Sequence, residues 1–333
     1  MTGKKLIVVI GATGNQGGSV VNAFHGDPSW TIRAFTRNPS SAKATALAAR
    51  GVEVVKADMD DPSSLPAAFK DANAIFVVSD FWGLYGSFAQ QGVDTGGKPL
   101  NLFAGEHELQ QLKAAIDAAA KVPTLERFIL STLSAATKWS KGKYTHVYHF
   151  DIKAQASAYV EEVQPELWKK TSLFQPGFFL SGYVYNPNLM PRKNADGVAQ
   201  FFNTMKGDFK TPWLAPEEDS GAFVKALIVD EAPGKNLIAY REWATLQEMA
   251  QAFEKASGVK SEIVEVPVDA PNEHLPAELK IELDEGYLYW EEFGYEARDD
   301  PTVIHPKDLK NPPKLETMEQ FYQKQDFSRI FSA

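Results

Sequence analysis

The chain has 333 residues, more than one ordinary domain of roughly 100–200 residues, so one large domain with an appendage, or two domains, is expected. Lys and Arg number 34 against 43 Asp and Glu, a net charge of -9, and no block of basic residues stands out, which argues against nucleic-acid binding through phosphates. Cysteine is absent, so disulfides, thiolate metal sites and cysteine nucleophiles are excluded.

Met1 to Lys5 run directly into the apolar stretch 6–10. That run is too short for a signal-peptide core and falls far short of the roughly 20 residues of a membrane span, so a soluble cytoplasmic protein with no membrane partner is expected. It is also the first candidate strand. Others lie at 31–36, 52–57, 74–79, 127–130 and 172–175, alternating with candidate helices at 16–24, 41–49, 63–69, 106–120 and 147–163. Strands that are continuously apolar belong to a sheet covered on both faces, and this alternation is that of an α/β, doubly wound parallel Rossmann sheet.

Gly11, Gly14 and Gly17 follow the first strand directly and open the first helix. A dinucleotide site needs this arrangement: one glycine for the tight turn, one for close approach to the pyrophosphate, and one for close helix–strand packing. The helix N-terminus adds free amides and a partial positive charge. Thr13, Asn15 and Gln16 complete the loop. At the end of the second strand, Thr36-Arg37-Asn38-Pro39 stands where an NAD site would carry a carboxylate for the ribose 2′-hydroxyl. Arg37 suits a 2′-phosphate instead, so NADP(H) is the expected cofactor, the alternative being a solvated surface arginine. Ala57-Asp58-Met59 ends the third strand. Asp58 can accept from the adenine amino group or cap the following helix, whereas Asp60 and Asp61 read as caps or solvated charges.

The interval 80–105 is long for a strand-to-helix connection and carries Phe81, Trp82, Tyr85 and Phe88 ahead of Gly92, Gly96 and Gly97. It reads either as a substrate-covering lid or as a surface insertion packed on its own aromatics. Past Pro176 the alternation decays, with helix-like runs at 220–228, 245–256 and 318–324. This defines residues 1–175 as the dinucleotide-binding domain and 176–333 as a smaller α+β C-terminal substrate region, some segments of which return to the sheet. The cluster Tyr287, Tyr289, Trp290, Phe293 and Tyr295 reads as core. Carboxylates from Glu282 to Glu292 read as a solvated acidic face, and His25, His107, His146, His274 and His305 show no metal-site spacing, so no metal is expected.

Taken together, the Gly11 to Gly17 loop with Asn15-Gln16, the Thr36-Arg37-Asn38-Pro39 segment, the Ala57-Asp58 strand end and Gln175-Pro176-Gly177-Phe178-Phe179 resemble the NmrA-like family of atypical short-chain dehydrogenase/reductases. The resemblance covers roughly residues 5 to 230. It implies that Pro176, Phe178 and Phe179 lie beside the nicotinamide, that Asn38, Met59, Ser79 and Ser131 join the cofactor contacts, and that Phe81, Trp82, Tyr85, Ser134 and Phe179 face substrate. Active short-chain reductases carry Tyr and Lys four apart on the helix after the fifth strand. Here the spacing gives His149 and Lys153, which share one helical face. The resemblance makes Lys153 a ribose contact. His149 either passes the proton in the tyrosine's place or packs beside the cofactor; Tyr148 turns off that face by about 100°.

Three functions follow as expectations. The first is an NADPH-dependent reductase of a bulky apolar small molecule bearing a carbonyl, imine or enone, of the kind met in secondary metabolism. The second is a redox sensor that binds the dinucleotide and reports to a protein partner, which the missing tyrosine favours. The third is an enzyme that uses the same pocket to guide cyclisation of a reactive intermediate.

Overall fold

The computed structural model describes residues 3–268, Ala270 and 275–328; His274 lies outside them. The first half supplies β1 (Lys5–Val9), β2 (Trp30–Thr36), β3 (Glu53–Lys56), β4 (Ala74–Val77), β5 (Arg127–Ser131) and β6 (Thr171–Pro176). Beyond β6 the chain builds two small sheets and twice rejoins the large one. β7 (Phe178–Phe179) opens the second sheet, β8 (Arg192–Lys193) and β9 (Ala199–Asn203) the third, and β10 (Lys210–Leu214) extends the second. Next, β11 (Asn236–Ala239) returns to the main sheet, β12 (Glu242–Thr245) and β13 (Ser261–Glu265) complete the small sheets, and β14 (Val303–Ile304) adds the eighth main strand.

The main sheet runs β14-β11-β6-β5-β4-β1-β2-β3, and its pairings are parallel. This is the doubly wound order 3-2-1-4-5-6 with two strands appended. Its strands alternate between two cores. Val8, Ile75, Phe128 and Leu130 enter one, while Ile7, Val9, Phe76 and Ile129 enter the other, so each strand reads as continuously apolar.

The helices, in chain order, begin with α1 (Asn15–Phe24), α2 (Ala42–Ala49), α3 (Leu65–Phe69), α4 (Phe81–Gln91), α5 (Leu100–Ala119), α6 (Ala136–Trp139) and α7 (Tyr148–Val163). They continue with α8 (Pro165–Trp168), α9 (Gly182–Tyr185), α10 (Pro216–Val229), α11 (Leu246–Ser257), α12 (Ala277–Phe293) and α13 (Met318–Gln323). Buried residues of α3, α5 and α7 cover one face of the sheet, and those of α1, α2 and α10 the other. The contact between α1 and α10 is close: a Cβ on Gly221 would lie 2.1 Å from the Ser19 carbonyl oxygen. Among the described residues no helix is long and apolar enough to cross a membrane.

The interval 80–105 is not the long loop expected from its glycines. Asp80 caps α4 by accepting from the Gly83 amide at 3.0 Å, and Gly92, at φ 61, ends that helix. The Phe81, Tyr85 and Phe88 rings recur at helical spacing and pack inward with Ala104, Tyr148 and Leu279. α5 then starts at Leu100, six residues before the expected start at 106. Gly105 continues that helix because α7 crosses there: a Cβ would come 2.9 Å from Ile152 Cγ1. The aromatic run of 287–295, by contrast, is core as expected, with Tyr289, Trp290 and Tyr295 buried.

Candidate functional site

β1 delivers the chain into the Gly11 to Gly17 turn at the carboxyl edge of the sheet, where open α/β sheets bind ligands. Gly11 sits at φ 68, and a Cβ on it would meet Val78 Cγ1 at 2.7 Å. At Gly17 a Cβ would lie 2.2 Å from the Gly11 carbonyl oxygen, so any other residue pushes α1 off the strand. Gly14 is the N-cap of α1, with no side chain over the first-turn amides that lack intrahelical partners. A diphosphate fits this bare cradle. Two bonds brace it: Lys43 donates to the Thr13 carbonyl at 3.1 Å, and Ser131 donates from the end of β5 to Gln16 Oε1 at 2.8 Å. Thr13 is half-buried and Asn15 exposed.

At the end of β2, Asn38 holds a turn. Its amide donates to Thr36 Oγ1, and its Oδ1 accepts from the Ser40 amide at 3.1 Å and the Ser40 hydroxyl at 2.7 Å. Arg37 is exposed and has no hydrogen bond or ion pair among the described residues, so its guanidinium is available to an incoming anion. Past β3, Asp61 caps the turn over Pro62–Ser64, while Asp60 accepts from Gln111 at 2.8 Å and lies 2.7 Å from His107 Nε2. Asp58 uses one oxygen on the Asp60 amide at 3.0 Å and is half-buried, as is Met59.

α7 brings His149 and Lys153 onto one face, and each meets a fully buried carboxylate. Lys153 Nζ pairs with Glu108 of α5 and donates to Ser79 Oγ at 3.3 Å. The second Glu108 oxygen is buried with no hydrogen-bond partner among the described residues. His149 Nδ1 lies 2.7 Å from Glu282 Oε1 of α12, which also accepts from the His149 amide at 2.9 Å. Asn101 of α5 donates to the other oxygen, Oε2, at 2.9 Å. A carboxylate accepts, so Nδ1 is the ring nitrogen that donates to it, and Nε2 makes no hydrogen bond among the described residues.

These carboxylates correct the reading of 282–292 as a solvated face. Glu282 is fully buried, Glu285 binds the Thr145 and His146 amides and the His146 ring, and Glu292 binds Lys143 and Tyr144. Their spacing along α12 places them on the face that docks against the chain leading into α7. Sequence reasoning missed Glu108 and Glu282. For Glu282 the signal was the acidic run 278, 282, 285 and 292, spaced by four, three and seven and so on one helical face; Glu108 had none.

The residues expected to face substrate divide. Trp82 is 43% exposed, and its ring covers that of the buried His149 with centroids 4.9 Å apart. Phe81 is buried, and Tyr85 donates to Glu278 Oε1 at 3.3 Å; burial, reinforced by the Glu278 charge, pushes its hydroxyl up to about 12. The Ser134 hydroxyl is buried and engaged by Tyr289 at 3.0 Å and the Tyr295 carbonyl at 2.8 Å, which removes it from the substrate surface. Pro176 accepts from the Tyr295 hydroxyl at 2.9 Å, Phe178 packs among Tyr183, Trp213 and Trp290, and Phe179 is half-buried against the α1 and α10 core.

The NmrA-like family model matches residues 3–322. The NmrA-like family domain-containing oxidoreductase ptmS of Penicillium ochrochloron is 27% identical over 369 residues, spanning 99% of both chains. A second oxidoreductase of this description, malD of Malbranchea aurantiaca, is 26% identical across 81% of this chain and 79% of its own. Among solved structures, the negative transcriptional regulator NmrA in complex with NADP matches with a TM-score of 0.72 at 18% identity, over 96% of this chain and 95% of that one. The leucoanthocyanidin reductase of Vitis vinifera with NADPH matches at 0.67 and 16% identity, over 95% of this chain and 98% of that one. The structural likenesses carry the fold, and the family match covers nearly the whole sequence. The chain belongs to the NmrA-like family.

Proposed function

We propose that this chain is an NADPH-dependent reductase of a bulky, largely apolar small molecule carrying a carbonyl, imine or conjugated double bond. The observation that carries the reading is the His149–Glu282 pair: a buried carboxylate fixes the imidazole, beside Lys153 and against the exposed Trp82 ring. A histidine that merely packs does not require an ionisable partner held at zero exposure on another helix. The names of the relatives, which are oxidoreductases, support the same class.

When bound, the cofactor supplies hydride. Gly11, Thr13, Gly14, Asn15, Gln16 and Gly17 hold its diphosphate, Arg37 its 2′-phosphate, and Asp58 its adenine amino group. Lys153 holds the nicotinamide ribose, with its charge balanced by Glu108, while Pro176 and Phe179 border the ring. Residues 1–175 bind the dinucleotide and the remainder closes the substrate side. Trp82 gives the apolar body of the substrate a flat surface. His149 in its doubly protonated form passes the Nε2 proton to the substrate heteroatom, or to carbon through water, and is left neutral with its Nδ1 hydrogen still donated to Glu282. Steady NADPH oxidation with a panel of aromatic ketones, imines and enones tests the reading. A chain that binds NADPH but turns over none of them refutes it.

A second reading, a dinucleotide-responsive binder of a protein partner, draws on a different observation. Phe81 and Tyr85 pack into the helices rather than lining an open pocket, and the Lys153–Glu108 pair is already closed. It predicts NADPH binding with no hydride loss on any substrate, and a pull-down that changes with dinucleotide.

A further inference from the structure

A cleft of about 420 Å³ opens at the far end of α12, lined by the turn after that helix and by the strands β10 and β12. It lies roughly 14 Å or more along α12 from Glu282, by the rise per residue between Glu282 and Glu291. It shares none of the residues assigned above to the dinucleotide or to the proton path.

The turn that forms its wall is built rather than loose. Ala297 holds φ 62, a left-handed conformation that an alanine rarely adopts, next to Gly294 at φ 86. Four bonds impose it: the Arg298 amide donates to the Phe293 carbonyl at 2.7 Å and the Ala297 amide to Gly294 at 3.2 Å. The Tyr295 hydroxyl donates to the Pro176 carbonyl, and its own carbonyl accepts from Ser134. Held this way, the turn presents Tyr295, Glu296 and Arg298 to the cleft.

Glu296 is 7% exposed, and its Oε2 makes no hydrogen bond among the described residues. Burial pushes its carboxyl up, with Arg298 offsetting part of the effect. A buried acceptor without a donor is costly, and a ligand donor removes that cost. On the same turn Arg298 donates to the Glu292 carbonyl at 3.5 Å, and neither it nor Lys210 of β10 forms a salt bridge among the described residues, whereas Lys206 and Glu291 face each other at 3.7 Å and Asp208 is exposed. The half-buried rings of Phe209 and Trp243 complete the lining.

We propose that this cleft is a second ligand site that takes a small zwitterion bearing an apolar ring, an aromatic amino acid in chemical class. Its ammonium meets Glu296, its carboxylate meets Arg298 and Lys210, and its ring lies on Trp243 and Phe209. The volume is at the small end of the range for such sites, roughly 300–1,000 Å³. The site does not depend on the redox reading, because no residue is shared.

Isothermal titration of the full chain with L-phenylalanine, 3-phenylpropanoate and phenethylamine tests it, since the last two probes each lack one charge. L-phenylalanine is expected to bind at least about tenfold more tightly than either, the loss of one charge-assisted contact. Glu296→Gln and Arg298→Ala should each weaken it by at least about tenfold while NADPH binding stays unchanged. Equal affinity for the three probes overturns the proposal, as does the absence of saturable heat for L-phenylalanine up to about 10 mM. If either variant fails to bind NADPH, the comparison of probes on the unaltered chain decides alone.

Discussion

The closeness of Gly17 to the Gly11 carbonyl turns a weak pattern into a requirement. A Cβ at 2.2 Å cannot be absorbed by a flexible side chain, because the obstacle is backbone. Gly17→Ala should therefore reduce NADPH affinity by at least about tenfold, whereas Gly18→Ala, whose Cβ would meet its nearest atom at 3.5 Å, should leave it nearly unchanged. Equal effects in a fluorescence titration would remove the cradle argument. Arg37→Ala should lower the preference for NADPH over NADH by roughly 10- to 100-fold, the loss of a charged hydrogen bond, and leave NADH affinity nearly intact. The His149–Glu282 pair makes a sharper demand. Glu282→Gln keeps the shape of the side chain and removes its charge, so kcat should fall about 100-fold with the Kd for NADPH unchanged. A loss of NADPH binding with kcat preserved would make Glu282 a structural residue only.

α12 is held by side chains rather than by a strand ladder, which makes its docking sensitive to acid. The Lys143 ammonium, aided by the Tyr144 hydroxyl, holds the Glu292 carboxyl below its ordinary 4.5. A depressed carboxyl contributes stability above its unfolded value and loses it as pH falls through the folded one. Urea unfolding of Glu292→Gln and the parent should therefore differ at neutral pH and converge as pH falls below 4.5 through the depressed carboxyl value. The difference is small because the pair is solvent-exposed. A constant gap down to pH 3 would assign the effect to packing. How far α12 could be read in advance follows from the same contacts. Its aromatics announce a core because Tyr289 and Phe293, four apart, stack on one face, but Glu282 does not announce its partners, since His149 and Asn101 lie 133 and 181 residues away. The parallel strands and the glycine cradle are local patterns and were readable. α4 escaped notice because Gly92, Gly96 and Gly97 mark the interval as loop, whereas Gly92 only ends the helix; the Asp80 cap and the inward rings of Phe81 and Tyr85 hold it.

The two halves of the chain meet most closely where the dinucleotide argument begins. α1 carries the cradle at its N-terminus and packs its length against α10, with Gly221 against Ser19 and the Gly221 amide donating to the Ser19 hydroxyl at 2.9 Å. α10 in turn covers the sheet that β11 and β14 extend. A ligand that orders the first turn of α1 must then stabilise segments two hundred residues away. At a dinucleotide concentration of about 100 times Kd, the global stability should rise by about 2.7 kcal/mol. Hydrogen exchange should show slowed amides in 216–229 and 236–239 as well as in 15–24. Protection confined to residues before 131 would show that the C-terminal region opens independently of the dinucleotide site. The substrate side would then close by a motion of its own, and the affinity for NADPH would be insensitive to Gly221→Ala. With the halves coupled, that same substitution weakens NADPH binding from a position that touches no part of the cofactor, because the helix it displaces is the one that presents the cradle.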